Sequence, residues 1–223
     1  MKLKLFLLSA FFIVFFTYFS YTVAKEKWQQ FDFDTTVKLQ DHISREFDFA
    51  FSFFSLLGSA EVTTAFCLLL AFLSLIRGKL LPVLGWSLIV LASILEVFGK
   101  LVLFHPGPPV FLHRSLLSTS LPSFYVHTDF SYPSGHMTRT IFIVTILICM
   151  VFFSSKNIVF KLAGISLLLL VALLMGLTRV YLGEHWTTDV VGGLFLGVGF
   201  GLFAAVFILM NPRIDFKKEK GLI

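Results

Sequence analysis

The chain has 223 residues, of which 57% are hydrophobic, 29 are Phe and only 14% are charged. That composition excludes an ordinary soluble globular domain and makes the bilayer the expected solvent. The formal net charge of +5 at pH 7 does not call for a nucleic-acid partner, because the basic residues form no dense run and sit in pairs at the ends of apolar segments.

Apolar runs recur from one end to the other with no Pro/Ser-rich linker or low-complexity tail between them, which reads as one membrane-embedded domain over residues 1–223. A helix crossing the hydrocarbon core needs about 20 mostly apolar residues, since its backbone groups must satisfy one another there. Residues 5–24, 58–76, 80–104, 137–153, 158–176 and 190–210 meet that requirement. The expected fold is therefore all-α, a polytopic membrane protein with a six-transmembrane-helix bundle.

Lys2 and Lys4 precede the first run, which ends in Thr22-Val23-Ala24 and so also fits a secretory signal. It is long for a signal and reads as a retained helix; cleavage would leave the later topology unchanged. Between the first two runs, residues 35–49 fit either an amphipathic helix on the membrane surface, with Val37, Leu39, Ile43 and Phe47 as apolar contacts, or an irregular loop. The second run begins near Glu61 and is less sharply bounded than the others. Cys67 and Cys149 lie inside apolar runs, where a small buried hydrophobe is the natural reading.

Positively charged connections stay cytoplasmic. With six spans, Lys2 and Lys4, Arg77 and Lys79, Lys156 and Lys161, and finally Arg213, Lys217, Lys218 and Lys220 all fall on one side. That side is assigned to the cytoplasm of a plasma membrane, with both termini there. Residues 25–57, 105–136 and 177–188 then lie outside, and the polar residues of chemical interest gather in them.

The strongest local pattern is Arg179-Val180-Tyr181-Leu182-Gly183-Glu184-His185-Trp186-Thr187-Thr188-Asp189. If the last helix starts near His185, then His185 and Asp189 are one turn apart on one face, so the carboxylate can hold one imidazole nitrogen while the other attacks. Attack on phosphorus would give a covalent phosphohistidine that water later hydrolyses. The plainer alternative makes His185 and Trp186 interfacial anchors and Asp189 a cap.

Tyr132-Pro133-Ser134-Gly135-His136 forms a loop-to-helix junction. Unpaired amides and the helix dipole there can receive a phosphate, with Gly135 allowing close approach, the Ser134 hydroxyl adding a donor and His136 placed to act as general acid. A Ser cap followed by an incidental histidine is the bland reading. Lys100, four residues after Glu96 at the outer end of its run, is either a functional cation or a snorkelling Lys paired at i−4. The orientation set by the basic residues brings all three clusters to one membrane face.

These residues resemble the three signature motifs of the type 2 phosphatidic acid phosphatase (PAP2) and vanadium haloperoxidase superfamily. Pro133-Ser134-Gly135-His136 matches the second motif in full, and Thr178-Arg179, His185 and Asp189 keep the spacing of the third, with Thr where Ser is usual. The resemblance covers residues 100–189. It implies His185 as nucleophile, Asp189 as its partner, His136 as acid, and Arg179, Ser134 and Gly135 as phosphate ligands. It also implies a six-helix membrane core with the site facing outward, as in the lipid phosphatase branch; the soluble, vanadate-dependent branch fits poorly.

The first motif departs from the pattern of Lys, six residues, Arg-Pro. The stretch reads Lys100-Leu101-Val102-Leu103-Phe104-His105-Pro106-Gly107-Pro108-Pro109, with Gly107 at the Arg position. Losing that cation would remove a charge-assisted contact of about 1.5–3 kcal/mol. Arg139, three residues after His136 on the same helical face, is the first candidate replacement and Arg114 the second.

Gly193, Gly197 and Gly201 form a small-residue ladder suited to close packing inside the bundle more than to dimerisation. His105, His113 and His127 carry no compact ligand spacing, so neither a metal nor another cofactor is expected. Phe111, Phe124, Tyr125 and Phe130 in the long outer loop are candidate lipid contacts. Glu184 is expected either to stay solvated or to tune His185. The expected partners are the bilayer and a membrane lipid phosphate, either a monoester or an isoprenoid diphosphate. Transfer of the phosphate to another acceptor, or an impaired lipid-binding or transport protein, are the competing readings. No feature specifies an oligomeric state.

Overall fold

The structure is a computed structural model that describes residues 2–117, 130–154 and 157–210. Among these, eight α-helices carry the fold: α1 (Lys2–Ala24), α2 (Gln29–His42), α3 (Asp48–Ser55), α4 (Ala60–Ile76), α5 (Leu80–Val102), α6 (Gly135–Ser154), α7 (Ile158–Tyr181) and α8 (Thr187–Ile208). The described β pairing is a single bridge between Pro106 and Phe130.

Five helices, α1, α5, α6, α7 and α8, are long and apolar enough to cross a membrane. A sixth span exists only if the segments Arg45–Gly58 and Ala60–Ile76, which meet at a 41° bend, are counted as one broken span. The run expected over residues 58–76 is helical from Ala60 to Ile76, 17 residues, and is approached through that bend. The cause is local. The Ser59 hydroxyl accepts the Val62 N–H at 3.3 Å and Glu61 lies in the first turn, so a new helix starts at Ala60.

Helices α6 and α8 run side by side from a common end, where the Ser134 N–H donates to the Asp189 carbonyl at 3.0 Å. The glycine ladder is spent on this contact. A Cβ on Gly193 would lie 2.6 Å from the Ser134 carbonyl oxygen, one on Gly197 2.6 Å from that of Thr138, and one on Gly201 2.9 Å from that of Phe142. Small residues let the two backbones approach where lipid supplies no hydrophobic drive for association.

Around this pair, Phe142, Ile146, Leu196 and Phe200 pack against Trp86, Ile89 and Ala92 of α5 and Cys67 and Ala71 of α4. Met137, Ile141 and Val144 meet Ala172 and Met175 of α7. Leu5 of α1 closes a third cluster with Cys149, Leu202 and Ala205. Cys67 and Cys149 are buried and free.

Residues 35–49 are neither one continuous helix nor an irregular loop. Helix α2 begins at Gln29 and stops at His42, and a short 3-10 turn, Arg45–Phe47, leads into α3. Its buried face carries Asp32 and Thr36, while Phe47 is half exposed. Polar grip on the protein holds it: Gln40 donates to the carbonyls of Leu112 (2.7 Å) and Tyr181 (2.8 Å). Lys156, Arg213, Lys217, Lys218 and Lys220 of the basic end, and Phe124, Tyr125 and His127 of the outer loop, lie outside the described residues.

Candidate active site

The chemistry-bearing residues meet where α5 ends and α6 and α8 begin. Helix α7 continues through Tyr181, five residues beyond its predicted end, so Arg179 is held in a buried last helical turn. The turn to α8 is tight. Gly183 has φ +67°, and a Cβ there would stand 2.2 Å from the Leu112 carbonyl oxygen, so glycine alone lets loop and turn pack together.

Helix α8 starts at Thr187, two residues later than the spacing suggested, and His185 precedes it. The one-turn relation still holds: His185 Nδ1 is 3.2 Å from Asp189 Oδ2. The same oxygen accepts the Trp186 N–H at 2.9 Å, capping the helix. A capping contact absent from the sequence reading comes from α2, where Asp32 accepts the Thr188 N–H (2.9 Å) and hydroxyl (2.6 Å). Burial pushes the Asp32 carboxyl above its usual 3.8, against the pull of those Thr188 bonds.

Lys100 Nζ is 2.7 Å from Glu96 Oε1, and Arg139 Nη1 is 2.9 Å from Glu96 Oε2. One buried carboxylate thus binds two of the predicted cations. Gly135 makes room for them: a Cβ there would lie 2.6 Å from Glu96 Oε1 and 2.8 Å from Arg139 Nη1. The close approach expected at this glycine is made by the ion pair itself. Arg139 also reaches the Gly58 carbonyl (3.5 Å), and a Cβ at Gly58 would meet the His136 ring at 3.1 Å. Arg139 and the buried His136 therefore border the same residue.

Arg179 donates to the Ser55 hydroxyl at 2.5 Å and pairs with Glu184, which also takes the Ser115 hydroxyl. The solvated state considered for Glu184 is not what the structure has. Arg114 is likewise placed elsewhere. It donates to the Gln40 carbonyl and the Tyr181 hydroxyl, both at 3.1 Å, and lies over the Tyr181 ring at 5.1 Å, tying the loop to α2 and α7. Of the two candidate replacements for the missing motif cation, Arg139 is the one beside Gly135.

His185 is buried, and that burial holds its pKa well below the usual 6.5. Arg179, Lys100 and Arg139 depress it further, in that order, against a hydrogen bond to the Ser131 backbone acting upward. The imidazole is therefore neutral at physiological pH with three cations around it, a state that favours a nucleophile and an incoming anion. Ser134 is buried, and its hydroxyl oxygen lies 3.5 Å from the Met137 N–H at the start of α6.

Trp186 donates its indole N–H to the Pro106 carbonyl at 2.8 Å, pinning the first-motif loop beside the site. His113 Nε2 is 3.2 Å from the Pro108 carbonyl, Phe130 packs edge-on against Phe104, and Phe111 is exposed. The sequence reading missed Asp32, the second partner of Glu96 and the position of His105. Only His105 had a signal, as a polar residue inside a motif.

A sequence model of the PAP2 superfamily matches residues 83–213. Phosphatidylglycerophosphatase B of Bacillus subtilis (strain 168) is 36% identical over 77 residues, 32% of this chain and 36% of that protein, so the match spans about a third of the relative's length. The crystal structure of a transmembrane PAP2 type phosphatidylglycerolphosphate phosphatase from Bacillus subtilis superposes with a TM-score of 0.71 at 19% identity, covering 93% of this chain and 98% of that one. Aquifex aeolicus LpxE superposes with a TM-score of 0.54 at 24% identity, over 78% and 94% of the two chains.

Proposed function

The chain belongs to the PAP2 superfamily, and from that premise we propose that it hydrolyses a membrane lipid phosphate, a monoester or an isoprenoid diphosphate, through a phosphohistidine on His185. The observation that carries this reading is the His185–Asp189 pair at 3.2 Å, with the imidazole kept neutral amid Arg179, Lys100 and Arg139. Asp189 holds Nδ1, and Nε2 attacks phosphorus as the bond to the lipid oxygen breaks. His136 gives that oxygen its proton, then takes one from the water that cleaves the P–N bond. Inorganic phosphate leaves and His185 is restored.

Arg179, Lys100, the Ser134 hydroxyl and the α6 amides after Gly135 serve the equatorial oxygens, where charge builds in the transition state. Arg139 supplies the cation absent at Gly107. Its position on the carboxylate it shares with Lys100, against Gly135, supports that role. In this reading residues 1–223 act as one membrane-embedded domain with cytoplasmic termini, its site opening on the outer face of the plasma membrane. No cofactor enters the scheme.

The test is phosphate release by detergent-solubilised protein from phosphatidylglycerol phosphate, phosphatidic acid and undecaprenyl diphosphate, with EDTA present. Phosphatidylglycerol phosphate comes first because the relative's name points to it. Release from at least one substrate, lost in His185→Ala, is the expected result. Loss with EDTA would refute metal-free catalysis, and no release from any of the three would overturn the hydrolase assignment.

A further inference from the structure

One buried imidazole stands unused by this scheme. His105 lies just past α5, 8% exposed, with Nε2 3.6 Å from Asp189 Oδ1. Neither atom has a hydrogen-bond partner among the described residues, although both are shut off from solvent. The other carboxylate oxygen is fully engaged, by the Trp186 amide and by His185. A buried carboxylate oxygen short of donors is costly; the Ser131 hydroxyl also bears on the Asp189 carboxyl, and the His105 imidazole faces this oxygen at 3.6 Å.

The surroundings fix that ring. The His105 carbonyl accepts the Ser131 N–H at 2.9 Å, which ties its backbone to the strand of chain entering α6. The ring meets Tyr132 edge-on, at 6.3 Å and 85°. His105 also lines a cavity of about 350 Å³ together with Glu26, Gln29 and Trp186. Burial lowers its pKa, with Glu26 acting upward, so the ring is neutral and carries one N–H.

We propose that His105 is a positioning residue: its Nε2–H holds Asp189 Oδ1 so that Oδ2 stays aligned on Nδ1 of His185. A contraction of about 0.5 Å brings the pair within ordinary N–H···O range. Asp189 is then clamped between two imidazoles, one reacting and one anchoring, and the first motif contributes His105 from its loop as well as Lys100 from the end of α5. This rests on the assignment of His185 as nucleophile.

Two variants separate hydrogen bonding from space filling. Gln places an amide nitrogen near the position of Nε2, whereas Leu fills the volume without a donor. With phosphatidylglycerol phosphate, phosphatidic acid and undecaprenyl diphosphate as probes, His105→Leu is expected to lower kcat about 10- to 100-fold with KM changed less than about threefold. His105→Gln is expected to recover kcat to within about fivefold of wild type. Wild-type kcat in the Leu variant, or a folded Gln variant no better than Leu, overturns the proposal. His185→Ala assayed in parallel tells the two failures apart: if it stays active, the nucleophile assignment fails; if it alone is dead, only the role of His105 fails. Should a variant not fold, or no probe turn over, imidazole 15N spectra of the wild-type protein decide, with His105 protonated at Nε2 expected and a bare Nε2 refuting the clamp.

Discussion

Helices α6 and α7 are similarly apolar, with mean hydropathies of 2.0 and 2.6 in their membrane-spanning stretches, yet 61% of that stretch is buried inside the protein in α6 and only 11% in α7. Apolarity marks a segment as a span but says nothing of whether it faces lipid or protein, because lipid tails and leucine side chains are equivalent surroundings. What distinguishes α6 is its polar content, with Thr138, Arg139, Thr140 and Thr145 all buried. Its neighbour α8 brings Gly193, Gly197 and Gly201 to the shared seam. Helix α7 turns Leu162, Leu167, Leu170 and Leu173 outward and buries Thr178 and Arg179 at its end beside the site.

That contrast predicts where the protein tolerates change. The largest effect belongs to the site at the start of α8: His185→Ala is expected to lower phosphate release by about 10³-fold or more, measured as kcat with the fold intact by thermal unfolding. Residual turnover near wild type would remove His185 from the chemistry.

Within the seam, Gly197→Leu forces a side chain onto the Thr138 carbonyl, 2.6 Å from where its Cβ must stand. Overpacking of this kind costs about 1–3 kcal/mol, read as a lowered Tm in detergent. An unchanged Tm would mean that the ladder is not what joins α6 to α8.

Arg139→Gln probes the polar side of the same helix. Loss of one charge-assisted contact predicts about a 10- to 100-fold fall in kcat/KM. A second consequence follows from sign. Arg139 helps depress the pKa of His185, so its removal raises that pKa, and the acid limb of the rate profile should move to higher pH. An Arg114→Gln variant that loses as much activity, beside an Arg139→Gln variant that loses none, would reverse the assignment.

The smallest effect is expected on the lipid-facing side. Leu173, 71% exposed on α7, should accept Ala with less than about 0.5 kcal/mol change in stability and no change in kcat. A larger cost would show that α7 is covered by something other than lipid.

The sequence by itself determined five of the spans and the pairing of His185 with Asp189, because each depends on spacing within a single helix or turn. Hydropathy over about 20 residues and a one-turn offset are local quantities. Packing decided the rest. Asp32 reaches Thr188 across 156 positions and Glu96 reaches Arg139 across 43, and no periodicity encodes such distances. Arg139 and Arg114 looked interchangeable as cations until α6 and the outer loop took their places, one beside Gly135 and the other over Tyr181. Which helices face lipid, and what stands on the second oxygen of Asp189, are likewise outcomes of how helices of like apolarity pack by shape and by buried polar contacts.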